Sequence, residues 1–140
     1  VMLMCLMHDV VEIFSGDTYA YDTENLKTQK AREDKAKIEL LSMLPKDQMN
    51  DMIALFDDFN AGTTAEARFA KAMDNLQPLL LNYSNKGIDW KERGVFVEQV
   101  LARQEKTKLS SRELYDLSLK MIKEHVALGN LKSNSFEGNA

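Results

Sequence analysis

The sequence predicts an all-α fold, and three observations support this. Apolar residues recur at the spacing of a helix, for example at Phe69, Met73, Leu76 and Leu80. No stretch alternates apolar and polar residues as a half-buried strand does. The chain has 140 residues, enough to bury one core, so we expect one domain over residues 1–131. The polar residues 132–140 are expected to form a disordered tail.

Six helices are predicted along this domain, at about residues 1–14, 25–44, 46–60, 64–85, 90–107 and 111–129. Pro45 separates the second helix from the third, because a proline in the interior of a helix removes a backbone hydrogen bond and breaks the helix. The break after the third helix contains Gly62, and Thr63 or Thr64 caps the N-terminus of the fourth. Gly87 follows two polar residues and ends the fourth helix.

The composition indicates a soluble intracellular globular protein. The net charge is −4, and the Lys and Arg residues are dispersed through helices that also carry acids, so we expect no nucleic-acid groove. Cys5 is the single cysteine, which rules out an internal disulfide. The apolar run of residues 1–7 is far too short to span a bilayer and carries no basic leader. We therefore expect a cytoplasmic protein that binds no membrane.

His8 and Asp9 end this apolar run, where an ordinary core helix would carry Leu or Ala. On an α-helix, Glu12 lies about 40° and Asp9 about 100° around the axis from His8, so the three share one face. Val1 and Cys5 lie on the same arc, so we expect the polar residues to be partly buried. A buried imidazole or carboxylate is costly unless it is paired or binds a metal, which favours a metal site.

A structural interpretation of this segment stays open. His8 can bond a carbonyl near the end of a helix while Glu12 is solvated. Gly16 and Asp17 can form a C-cap and a turn, with Asp17 bonded to Thr18 in an Asx-turn. A His-Asp pair also arises by chance in many sequences. This segment alone therefore does not decide between the two interpretations.

Asp74 is a further carboxylate, on the flank of the apolar stripe of the fourth predicted helix. Ala67 and Ala70 lie beside it and are small enough to let another element approach closely. Pro78 lacks an N–H and crowds the carbonyl of Asp74, so we expect a kink there. A carboxylate at a costly kink fits a positioned metal ligand. The alternative is an exposed ion pair with Lys71.

His8-Asp9 followed by Asp74 on a later helix resembles the signature of the HD-domain metal-dependent phosphohydrolases. Residues 6–22 and 65–78 look like one branch of that family, the nucleoside 5′-monophosphate phosphatases that include the 5′-deoxynucleotidases. The similarity continues over nearly the whole chain. It implies an HD-domain helical bundle, a divalent metal ion, removal of phosphate from a nucleoside 5′-monophosphate, and a homodimer.

One departure from the family pattern concerns the region before His8. The family's first metal-binding histidine and the helices around it should lie upstream, and nothing in this sequence supplies them. His125, the other histidine, follows Asp74 and does not fill that place in the order. We therefore interpret the chain as an HD domain that lacks its N-terminal helices. Weakened metal binding is expected, which can leave this stretch inactive.

The resemblance implies that His8, Asp9 and Asp74 bind the metal ion. An imidazole and carboxylates suit Mn, Co, Fe, Ni or Zn, and ligand type alone does not choose among them. Such an ion activates water and neutralises phosphate charge, so no covalent nucleophile is needed. Glu12, one turn after His8, is the candidate general acid/base for the departing 5′ oxygen. Asp17 would orient water or contact the sugar.

Four further residues have weaker interpretations. Arg68 and Lys71 are candidates for binding the substrate phosphate, with a surface salt bridge as the alternative for each. His125 continues an apolar stripe and is interpreted as a packed or capping histidine. Trp90 is interpreted as a core or dimer anchor.

The fifth and sixth predicted helices hold more apolar surface than one face can bury, which also favours a homodimer.

The sequence thus predicts a metal-dependent phosphomonoesterase that acts on (deoxy)nucleoside 5′-monophosphates. Two alternatives remain. One is an HD hydrolase of another phosphate ester or of a nucleoside polyphosphate, and the other is a module that binds metal and nucleotide without turnover. Glu12 and Asp17 argue against the second alternative, because a pure binding module needs no proton shuttle.

Overall fold

The chain is α-helical in the computed structural model, which describes residues 1–133. Its elements are α1 (Met2–Met7), a 3-10 turn (His8–Val11), α2 (Glu12–Ser15), α3 (Thr23–Leu41), α4 (Lys46–Ala61), α5 (Ala65–Ser84), α6 (Ile88–Arg93), α7 (Val97–Lys108) and α8 (Arg112–Ala127). Within those described residues no β-strand forms, so the predicted all-α class is confirmed. None of the helices described is long and apolar enough to cross a bilayer.

Most of the predicted helices form close to their predicted bounds, namely α3, α4, α5 and α8. The first predicted helix is wrong as a single element, because the 3-10 turn separates α1 from α2. The fifth is also wrong as a single element. Gly94 ends α6 at φ 62°, in the left-handed region that glycine adopts without strain. Gln99 Oε1 then accepts a hydrogen bond from the Phe96 N–H at 2.9 Å, which starts α7.

Two compact units can be distinguished, Val1–Ala70 and a second that begins at Lys71. In the first unit, α4 contacts the N-terminal segment at two places. Phe59 shares a buried cluster with Met4, and Phe56, one turn earlier, shares another with Val11. The stretch that carries His8 is therefore held by α4 on both sides.

The second unit has a core contributed by α6, α7 and α8. Its buried apolar side chains include Trp90, Val95, Val100, Met121 and Ile122. These side chains lie in the predicted fifth and sixth helices, whose apolar surface is predicted to favour a dimer, and their burial in the single chain removes them from that argument. Leu117 of the sixth predicted helix is 43% exposed, and the homodimer stays a prediction.

The backbone structure of the second unit continues past the predicted domain end at residue 131. The Lys132 N–H donates to the Val95 carbonyl at 3.0 Å, and the Val97 N–H donates to the Lys132 carbonyl at 2.8 Å. These bonds form an isolated β-bridge between Phe96 and Lys132. The predicted disordered tail was expected to begin at residue 132, and residues 134–140 lie outside the described residues.

The buried face of α5 differs from the predicted apolar stripe. Phe69 and Leu80 are exposed at 39% and 44% of their surface, so their predicted core positions are wrong. Leu76 of the predicted stripe is buried as expected, and the other buried side chains of α5 are Ala67, Ala70, Ala72, Asn75 and Leu79. The small alanines allow close packing, and the larger residues at Phe69 and Leu80 lie toward solvent.

Candidate metal centre

The His8 side chain is held by backbone acceptors in the first unit. Its Nδ1 atom lies 3.2 Å from the Met4 carbonyl oxygen and 3.1 Å from that of Cys5. Because a carbonyl oxygen only accepts, Nδ1 carries the proton and donates to both. The ring also packs against Phe59, with centroids 4.7 Å apart. In the neutral ring, Nε2 is then the nitrogen whose lone pair is suited to a metal ion.

Asp9 presents a carboxylate beside that nitrogen. The Asp9 Oδ1 atom lies 3.1 Å from His8 Nε2. Two atoms bound to one ion at about 2.1 Å, and at right angles to each other, are about 3.0 Å apart. The chemistry and spacing of this pair therefore fit shared coordination of a divalent ion.

The predicted burial of this pair is only half right. The His8 side chain is 13% exposed, whereas the Asp9 side chain is 64% exposed. The prediction assumed a regular α-helix, but residues 8–11 form a 3-10 turn. A 3-10 turn advances about 120° per residue, so Asp9 is carried further from the buried side than an α-helix would carry it.

Glu12 is the first residue of α2, one turn after His8. Burial, followed by the charges of Asp9, Asp17 and Glu33, raises the pKa of Glu12 to about 7. A carboxyl group with this pKa exchanges its proton near neutral pH. That property suits general acid/base catalysis.

Asp17 lies on an exposed loop whose path is held by Arg32 of α3. Gly16 ends α2 at φ 72° and ψ 152°, a conformation that residues with a Cβ rarely adopt. The Arg32 guanidinium donates to the Ser15 carbonyl and to Thr18 Oγ1, each at 2.5 Å. Sequence reasoning missed Arg32, because it lies 17 residues from Ser15 and no local pattern marks the contact.

A small cleft with a cavity volume of about 20 Å³ lies beside His8 in the first unit. Its lining includes the polar side chains of Glu33, Lys37 and Asn60 and the apolar ring of Phe56. Pockets for small-molecule ligands are usually about 300–1,000 Å³. The cleft is therefore too small to enclose a nucleotide by itself.

Asp74 lies on α5 in the second unit, with its side chain 35% exposed. The Arg103 Nη2 atom of α7 lies 4.0 Å from Asp74 Oδ2. Lys71 lies one turn before Asp74. Burial and then the charge of Lys106 lower the pKa of Lys71, while Asp74 acts in the opposite sense. Asp74 is therefore a partly buried carboxylate with cationic neighbours.

The predicted ligands are divided between the two units. His8 and Asp9 lie together in the first unit, and Asp74 belongs to the second. Among the described residues, neither unit by itself gathers three His, Cys, Asp or Glu side chains that could hold an ion. Each unit therefore presents only part of a predicted coordination set.

Both the sequence and the structure of this chain are similar to those of known proteins. Residues 1–114 match the sequence profile of a family described as HD domain. The chain belongs to the HD-domain family. A solved structure of a predicted metal-dependent phosphohydrolase from Magnetospirillum magnetotacticum is 38% identical to this HD domain, with a TM-score of 0.86. That match covers 92% of this chain and 64% of the other.

This HD domain is also similar to curated proteins named 5′-deoxynucleotidase HDDC2. The protein of Bos taurus is 29% identical over 77 residues, that of Homo sapiens 27% over 77, and that of Xenopus laevis 32% over 78. Each match covers 55% of this chain and 38% of the relative. The matched part of the HD domain thus spans less than half the length of these relatives.

Two further predicted residues have structural contacts in this HD domain. The Arg68 side chain is exposed, and its Nε donates to the Gly62 carbonyl at 3.4 Å, which supports the turn between α4 and α5. His125 is 2% exposed, and its ring lies edge-on to Trp90 at 5.2 Å and to Tyr83 at 5.4 Å between centroids. The interpretation of His125 as a packed histidine is confirmed, and Trp90 is a core residue.

Proposed function

We propose that this HD domain is a metal-dependent phosphomonoesterase that hydrolyses (deoxy)nucleoside 5′-monophosphates to a nucleoside and phosphate. The observation that carries the proposal is the distance of 3.1 Å between His8 Nε2 and Asp9 Oδ1. One turn after His8, the carboxyl group of Glu12 has a pKa of about 7. The names of its relatives, 5′-deoxynucleotidase and predicted metal-dependent phosphohydrolase, support the reaction and the substrate class.

His8, Asp9 and Asp74 are the proposed metal ligands, in agreement with the family pattern. Their imidazole and carboxylate groups suit Mn, Co, Fe, Ni or Zn. A divalent ion held by them would neutralise phosphate charge and lower the pKa of the attacking water. The bonds from His8 Nδ1 to two carbonyls support the assignment, because metal-binding histidines commonly donate their second N–H to such an acceptor.

The side chains of the protein supply the proton transfers. In the metal-free protein the pKa of Glu12 is about 7, so its carboxyl group can take up and release a proton near neutral pH. It donates that proton to the departing 5′ oxygen, which would otherwise leave as a poor, charged group. Asp17, on the loop held by Arg32, orients the water or contacts the sugar. Lys71 is a candidate contact for the phosphate.

Phosphate release from nucleoside 5′-monophosphates by the full chain, with each divalent metal in turn, tests the proposal. Glu12→Gln is expected to lower kcat by about 10²–10⁴, the usual contribution of general acid/base catalysis, without loss of metal. Asp74→Ala is expected to lose the metal. Glu39→Gln, which changes an exposed acid on α3, is the matched control and should behave as the wild type. Undiminished turnover by Glu12→Gln would remove Glu12 from the mechanism.

The same assay separates the alternatives. Release of phosphate from ribose and deoxyribose monophosphates in parallel measures the sugar preference. Faster hydrolysis of a nucleoside triphosphate or of an unrelated phosphate ester would favour an HD hydrolase of another substrate. Nucleotide binding with no turnover in any metal would favour a binding module. A homodimer and a cytoplasmic location remain predictions, and light scattering at micromolar concentration tests the first.

A further inference from the structure

A buried polar network fixes α7 against α5 in the second unit. The Gln104 side chain is 1% exposed, and its Nε2 donates to the Asn75 carbonyl at 3.2 Å. Its Oε1 accepts from Thr107 Oγ1 at 3.0 Å and from Ser118 Oγ at 3.3 Å. A buried amide with three such bonds has a fixed orientation. The residues adjacent to Gln104 and Asn75 are therefore also fixed relative to each other.

Arg103 and Asp74 are those adjacent residues. The Arg103 Nη2 atom lies 4.0 Å from Asp74 Oδ2, and its side chain is 31% exposed. The Arg103 Nε–H is buried, and it has no hydrogen-bond partner within the described residues. A buried N–H without an acceptor is costly, so a shift of the side chain that brought this N–H to an anion would be favoured. The guanidinium group also suits planar, two-point binding of a phosphate group.

Two lysines lie one helical turn from this pair. Lys71 precedes Asp74 on α5, and Lys106 follows Arg103 on α7. The charge of Lys106 is close enough to lower the pKa of Lys71. The pairs 103 with 74 and 106 with 71 run in opposite directions along the two helices. This antiparallel register gathers three cationic side chains around one carboxylate.

We propose that Arg103, Lys106 and Lys71 bind the phosphate group of the substrate beside Asp74. The inference rests on the proposed function and deepens it by assigning phosphate recognition to the α5 and α7 faces of the second unit. The three side chains are cationic, and a phosphate monoester carries close to two negative charges at neutral pH, so this group attracts it. Arg103 supplies the directed N–H groups, and the two lysines supply charge.

Binding of inorganic phosphate to the metal-free full chain, measured by titration calorimetry, tests this inference without catalysis. Arg103→Gln and Lys106→Gln are each expected to raise the dissociation constant by about tenfold, the usual effect of losing one hydrogen bond to a charged group. Lys123→Gln removes the same charge from an exposed position on α8 and should leave binding unchanged. Trp90 fluorescence checks the folding of each variant, and the exposed Lys106 provides a substitution that does not disturb the core.

Equal phosphate affinity in wild type, Arg103→Gln and Lys106→Gln would overturn the inference. So would an Arg103→Gln variant that binds metal more weakly but binds phosphate as the wild type does, because Arg103 would then only position Asp74. A different result would contradict the proposed function and leave this inference intact. If the wild type hydrolyses no phosphate ester while both variants still weaken phosphate binding, the anion site stands and the phosphomonoesterase does not.

Discussion

The two histidines of the chain are used in opposite ways. In the first unit, His8 Nδ1 donates to two backbone carbonyls, which directs Nε2 toward the exposed carboxylate of Asp9. In the second unit, His125 Nδ1 accepts a hydrogen bond from Asn130 Nδ2 at 3.0 Å, so the proton of the neutral ring is on Nε2. The two neutral rings are therefore opposite tautomers.

The surroundings of His8 and His125 also differ. His125 is 2% exposed, and aromatic rings of Trp90 and Tyr83 lie edge-on to it. Gly87 lies so close that a Cβ there would stand 2.7 Å from His125 Nδ1. His8 instead lines an open cleft. The partner of Nδ1, more than residue type, therefore separates a candidate ligand from a packing group.

The largest expected effect is the loss of metal binding in His8→Ala. We expect its affinity for a divalent ion to fall by at least about 100-fold, since substitution of even an outer-shell partner can cost that much. Titration of the metal-free full chain with Mn or Zn, in competition with a chelator, measures the change. His125→Ala is the matched control and should keep the wild-type metal affinity. Metal binding by His8→Ala at the wild-type affinity would show that His8 is not a ligand.

The second prediction concerns the stability of His125→Ala. Removal of a buried ring that contacts Trp90 and Tyr83 leaves a cavity, and we expect the free energy of unfolding to fall by about 3 kcal/mol. Urea unfolding followed by the fluorescence of Trp90 measures this directly. An exposed substitution on the same helix, Lys123→Ala, is the control. A loss of less than about 1 kcal/mol, the range of ordinary single substitutions, would contradict the packing role of His125.

The third prediction concerns the close packing of His125 and Asn130 against the backbone at Gly87. Gly87 and Gly129 both have φ of +68°, but a Cβ on Gly129 would meet nothing within 4 Å. Gly129→Ala therefore measures the cost of a left-handed backbone alone, about 1 kcal/mol. Gly87→Ala adds close contacts of the new Cβ with His125 Nδ1 at 2.7 Å and with the Asn130 Cβ at 2.9 Å, and we expect about 1–3 kcal/mol more. Equal urea midpoints for the two variants would mean that both side chains move aside freely.

The fold was predictable where local signals agree with tertiary packing. Pro45 and Gly62 bracket α4, and α4 forms within one residue of its predicted bounds. The buried face of α5 was predicted less well. The sequence does not show which helix face packs against another element, so Phe69 was assigned to the core although it is exposed. The 3-10 turn at residues 8–11 was missed, since no local residue signal distinguishes it from an α-helical turn.

The candidate site was predictable to a similar extent. His8, Asp9 and Glu12 are neighbours in sequence, so a periodicity argument could place them near one another. Arg32 and Arg103 could not be found in this way. Their contacts with Thr18 and Asp74 join residues far apart in the chain, and only the packing of helices brings them together. Sequence patterns thus reveal ligands within one turn, whereas Arg32 and Arg103 are found only from the packing of the helices.

The smallest expected effect is a change in the free energy of unfolding of the Glu12→Gln variant. We expect this variant to gain stability although it loses activity. In the metal-free protein the pKa of Glu12 is raised from 4.5 to about 7. Below pH 4.5 the folded and unfolded chains both hold the proton, so Glu12 has no effect on the pH dependence. Between these values the unfolded chain releases its proton first. Wild-type stability therefore falls as pH rises toward 7, because the unfolded state binds fewer protons.

Glu12→Gln removes this titration. Relative to wild type, the metal-free variant should gain stability as pH rises from about 5 to 8, by roughly 1 kcal/mol once the partial exposure of the side chain is taken into account. Urea unfolding at the two pH values measures the gain, with Glu39→Gln as a control that should show none. A difference between variant and wild type that is the same at both pH values would mean that Glu12 ionises normally in the folded chain. A gain in stability together with a loss of turnover is the pattern of a group retained for catalysis.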